Sequence, residues 1–89
     1  MSITLQGAKI CEQGVDFAIV IVKEYVLNNQ SDSESARQSY RRFFPGMHIL
    51  LMAQDSRGIP TYSGRRDIVS FLAGISMNRI PWKKFTFSW

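Results

Sequence analysis

Phe17-Ala18-Ile19-Val20-Ile21-Val22 and Ile49-Leu50-Leu51-Met52-Ala53 decide the fold. Both are short unbroken apolar runs of strand-forming residues. A strand with one wet face alternates apolar and polar side chains, so a strand that does not alternate is covered on both faces. On the first run Phe17, Ile19 and Ile21 point one way and Ala18, Val20 and Val22 the other. On the second, Ile49, Leu51 and Ala53 oppose Leu50 and Met52.

The residues around these runs supply the remaining elements. Ile3 and Leu5 alternate with Thr4 and Gln6, which predicts a strand over 2–10, and Gly14 lies in a turn over 11–15. The first apolar run extends the second strand over about 16–27. Ser31 with Glu34 fits a capping box, and Ala36, Tyr40, Phe43 and Phe44 recur as one helical stripe that Pro45-Gly46 ends. The second apolar run makes a third strand over about 47–54. Asp55-Ser56-Arg57-Gly58 is a hairpin turn, and the returning strand over 59–62 carries Pro60, which places it at an edge, a strand end or a bulge. Ser63-Gly64 opens a second helix at Arg65, with Ile68, Phe71, Leu72 and Ile75 on its buried face and Gly74 or Asn78 as its stop. Phe85, Phe87 and Trp89 alternate with Lys84, Thr86 and Ser88 in a final strand.

The predicted class is α+β: one small domain over residues 1–89 with a mainly antiparallel sheet of four or five strands and two helices, in the order β-β-α-β-β-α-β. That order is a ferredoxin-like split βαβ pattern with an extra N-terminal strand, with both helices on one sheet face. A reduced thioredoxin-like layout is the alternative. Two helices on one face leave the other bare. If about 400 Å² of apolar surface is exposed there, covering it is worth about 10 kcal/mol gross, as much as a small domain's whole net stability. A homodimer burying Ala18, Val20, Val22, Leu50 and Met52 is therefore expected.

Charge adds a second expectation. The net charge is +4, but residues 1–40 carry −2 (three basic, five acidic) and residues 41–89 carry +6 (eight basic, two acidic). Such asymmetry points to an anionic partner. Two stretches could meet it. Gly64-Arg65-Arg66 places two arginines at a helix start, where acids are usual, and is a candidate anion site. Arg79, Trp82, Lys83 and Lys84 mix cations with an aromatic ring, the composition of a single-stranded nucleic-acid contact. Arg37 and Arg41 read as the wet side of the first helix, with Glu34 placed to pair with Arg37.

Catalytic chemistry finds little footing. His48 is the only histidine and Cys11 the only cysteine, so neither a zinc set nor an internal disulfide can assemble from them. No glycine-rich loop leads into a P-loop lysine. The sequence predicts no cofactor and no catalytic residue. An enzyme would need a pocket at a subunit boundary drawing on Tyr62, His48 or Cys11. No apolar run approaches the roughly 20 residues that span a bilayer, and a lone thiol suits a reducing compartment, so a cytoplasmic binding protein is the expectation.

Overall fold

A computed structural model describes residues 1–89. Strand β1 (Ser2–Glu12) turns through Gln13-Gly14 into β2 (Val15–Ile21). Both turn residues have positive φ, +53° and +77°, the two-residue hairpin geometry whose twist matches paired strands. After β2 the chain makes a short helical turn, α1 (Glu24–Leu27), and then helix α2 (Gln30–Tyr40). The hairpin β3 (His48–Gln54) and β4 (Pro60–Ser63) follows, then helix α3 (Arg66–Ala73), a single 3-10 turn (Met77–Arg79) and β5 (Lys83–Ser88).

The five strands form one mixed sheet in the order β4-β3-β2-β1-β5. Only β2 and β3 run parallel; the other three pairs are antiparallel. The α+β class and the outline order of elements therefore hold, and Pro60 lies in an edge strand. The ferredoxin-like arrangement does not. The parallel strands β2 and β3 pair directly, with β4 outside them rather than between them, so the split βαβ unit that defines that arrangement does not form.

The helices lie on opposite faces, not on one. Ile68 and Leu72 of α3 pack with Ala8, Phe17, Ile19, Leu50 and Met52. On the other side Leu5, Ala18, Val20, Ile49, Leu51 and Phe85 pack with Phe44, and Val26, Leu27, Ala36, Tyr40 and Phe43 close over them. The topology explains why. The β2–β3 crossover occupies one face, and the connection from β4 at one edge to β5 at the other must traverse the whole sheet, which it does across the free face.

That arrangement removes the premise for the expected homodimer. Ala18, Val20, Leu50 and Met52 are 0% exposed within a single chain, and Val22 is half-buried. Nor do the five make one face. The parallel register aligns Ala18 with Ile49 and Ile19 with Leu50, so Ala18, Val20 and Val22 face α2 while Leu50 and Met52 face α3. The strands are apolar on both sides because this chain covers them twice.

Local departures have local causes. The second strand stops at Ile21 because Val26 and Leu27 tuck into the α2-side core as a helical turn. Helix α2 is capped by Asn29, whose side chain accepts from the amides of Ser31 (2.8 Å) and Asp32 (3.4 Å), in place of the Ser31–Glu34 box. The helix ends at Tyr40. Tight turns then swing Phe43 and Phe44 inward, where Phe44 packs nearly perpendicular to Phe85 and Phe87 with ring centroids 5.4 and 5.5 Å apart. Helix α3 stops at Gly74.

Candidate functional site

An open cleft of about 450 Å³ lies where the C-terminal half of α2, the start of β3 and the β4–α3 turn meet. Glu34, Arg37, Arg41, His48, Gly64 and Arg65 bring the polar groups to it. Each element supplies its residues for a reason. On α2, Arg37 and Arg41 are one turn apart and therefore share a face, a spacing at which like charges repel. Arg41 caps the helix C-terminus, where the dipole favours a cation. Gly64 has φ +152°, and a Cβ there would meet Leu50 Cγ at 3.0 Å and the Ile49 carbonyl oxygen at 3.3 Å. Glycine thus lets the turn press against β3 and carry Arg65 beside His48.

The hydrogen bonds define the polarity of the cleft. Arg37 is held at both ends of its fork: Nη2 donates to Glu34 Oε1 at 2.7 Å and Nη1 to Ser63 Oγ at 2.8 Å, leaving the side chain 17% exposed. Arg65 Nε pairs with Asp67 Oδ1 at 2.8 Å, and its Nη1 lies 2.9 Å from His48 Nε2. Arg41 makes no ion pair. Three guanidinium groups thus face a cleft whose only lining carboxylate, Glu34, is already engaged. Guanidinium forks match the oxygens of phosphate or carboxylate, and here α2 and the β4–α3 turn bring them together.

No family model, curated protein or solved structure matches this chain. Its site is therefore read from its own geometry.

Of the predicted anion site, Gly64 and Arg65 line the cleft, whereas Arg66, the first residue of α3, does not. Arg37 and Arg41 belong to the site although their sequence reading placed them on a solvated helix face. Their four-residue spacing was the available signal, since two like charges stacked on one turn need a compensating group.

The predicted nucleic-acid residues are divided. Trp82, Lys83 and Lys84 surround a small hollow with Gln6 and Ile21, while Arg79 lines a different one beside Lys9 and Cys11. The Trp82 ring packs on the α3-side core and its Nε1 donates to the Met77 carbonyl oxygen at 3.1 Å, so it closes the core as a lid. The Lys83 ammonium sits 4.9 Å above Phe85.

Tyr62, His48 and Cys11 share no cleft. His48 faces the arginines, Cys11 is exposed near the end of β1, and Tyr62 packs toward α3. A hydrogen bond to Asp16 and that carboxylate's charge push the Cys11 thiol above its ordinary pKa, the reverse of what a nucleophilic thiolate needs. No three of the His, Cys, Asp and Glu side chains gather where they could hold a metal ion. No helix is long and apolar enough to cross a membrane.

Proposed function

We propose that this chain is a small cytoplasmic binding protein, without catalysis, that holds an anionic group of its ligand in the cleft between α2 and the β4–α3 turn. The observation that supports the reading is the convergence of Arg37 and Arg41 from α2 and Arg65 from the β4–α3 turn on one concavity with a single engaged carboxylate. The size of the cleft suits a small ligand. Nucleic acid is the weaker reading, because the one tryptophan among the candidate cations is committed to the core.

Calorimetric titration with pyrophosphate at low salt tests the reading. Binding should weaken steeply as salt rises. Arg41→Gln and Arg65→Gln should each weaken it about tenfold or more, the scale of a charge-assisted hydrogen bond. Arg57→Gln, on the hairpin at the opposite end of β3, should leave it unchanged. Absence of binding at low salt, or an equal loss in the Arg57 variant, refutes the proposal.

A further inference from the structure

The contact between Arg65 and His48 constrains a proton. A guanidinium is a donor only and stays charged throughout the pH range of proteins. With Arg65 Nη1 2.9 Å from His48 Nε2, the imidazole nitrogen must accept. The imidazole form that fits this contact is the neutral one with its proton on Nδ1. This is the one histidine of the chain, it is exposed at the first position of β3, and it lines the cleft with all three arginines.

The charged groups around it set what a ligand would do. From α2, Arg37, Arg41 and Glu34 face the cleft; from the β4–α3 turn comes Arg65, and behind it Asp67 of α3. Glu34 is engaged by Arg37, and Asp67 by Arg65. On its own, protonating His48 adds a fourth cation beside three and breaks its bond to Arg65. A doubly negative ligand reverses both effects. It draws Arg65 toward itself while Asp67 still holds the Nε side, and it offers His48 an acceptor.

We infer that the cleft takes a doubly charged tetrahedral oxyanion, such as a phosphomonoester, and that one proton from solvent moves onto His48 Nε2 as the anion binds. His48 changes from acceptor of Arg65 to donor to the ligand. The inference rests on the cleft being an anion site.

Sulfate is the discriminating probe, because it stays a dianion between pH 5.5 and 8.5, whereas phosphate changes its own charge in that interval. Calorimetry in two buffers of different ionisation enthalpy should show uptake of up to one proton per sulfate. Sulfate affinity should rise as pH falls from about 8.5 to about 5.5, with tenfold per unit as the limit for uptake of one proton. His48→Gln, which keeps a polar group at an exposed strand start, should still bind sulfate but with less than about twofold change across the same range. A pH-independent affinity in the parent protein, or an unchanged slope in the Gln variant, overturns the proton step while leaving the anion site standing. Absence of sulfate and pyrophosphate binding at every pH overturns both.

Discussion

Ile19 and Val20 are adjacent on β2, both 0% exposed, yet belong to different cores: Ile19 to the α3 side and Val20 to the α2 side. If the chain covers both faces by itself, each residue loses its own packing when truncated and neither notices the other. Ile19→Val removes one methylene and should cost about 1 kcal/mol. Val20→Ala removes two carbons and should cost about 2 kcal/mol, once the residual cavity is included. The double variant should then lose about 3 kcal/mol, with a coupling below about 0.5 kcal/mol. A total stability of about 4–13 kcal/mol, scaled from chain length, can carry that loss. The contrasting pair is Ile19→Val with Leu50→Ala. These two are register partners across β2 and β3 and share the α3-side core. Their coupling should exceed about 0.5 kcal/mol, because the cavities merge. Urea unfolding at several protein concentrations measures all of this, and the midpoints should not depend on concentration. Strong coupling across the sheet, a negligible cost at either residue of the first pair, or a concentration-dependent midpoint would refute the two-core, single-chain description.

Two further outcomes follow from the packing. A Cβ on Gly7 would sit 2.1 Å from the Ile19 carbonyl oxygen, so reaching the 3.0 Å floor of real contacts requires almost one ångström of movement between paired central strands. Gly7→Ala should cost about 3 kcal/mol or more in denaturant unfolding, beyond the usual overpacking range, whereas Gly14→Ala, with open space and only a positive φ, should cost about 1 kcal/mol. The Tyr62 hydroxyl is buried without a partner, and burial raises its pKa above the ordinary value of 10.0. Tyr62→Phe should leave stability unchanged or raise it by about 1 kcal/mol at neutral pH. The parent protein should lose stability as pH climbs past about 10, because the unfolded chain releases the tyrosine proton first. The variant should lose less over that window, with Tyr40, raised in the same direction by burial, accounting for part of what remains. A Phe variant that is markedly less stable would show that the hydroxyl has a partner in solution.

Most of the local architecture could be read from the residues because its causes are local. Unbroken apolar runs announced two buried strands, Pro60 announced an edge, and the alternation of Phe85, Phe87 and Trp89 announced a one-sided strand. What covers each face was not written locally. Helix α2 offers only Ala36 and Tyr40 as apolar side chains, so its own pattern gives little sign of the core beneath it; Phe43, Phe44 and the residues of α1 complete that cover. The side on which α3 crosses depends on β4 and β5 occupying opposite edges, a relation among strands far apart in sequence. The same holds for the cleft. Arg65 drew notice as a cation at a helix start, whereas Arg37 earns its place by reaching Ser63, twenty-six residues away along the chain.

Because β1 has β2 on one flank and β5 on the other, residues 2–7 must find residues 83–88 before the sheet is complete. Loop entropy opposes so distant a meeting until the intervening chain is already compact. The last strand is therefore expected to dock once the rest of the sheet is compact, and a mixed fold of this kind is expected to fold more slowly than helical bundles and faster than all-β barrels. During synthesis the flank of β1 stays open until residues 83–88 are free to pair with it, with Phe44 still missing the rings of Phe85 and Phe87. In that interval the chain exposes apolar surface that β5 later covers, and it is then that aggregation is expected to threaten it most.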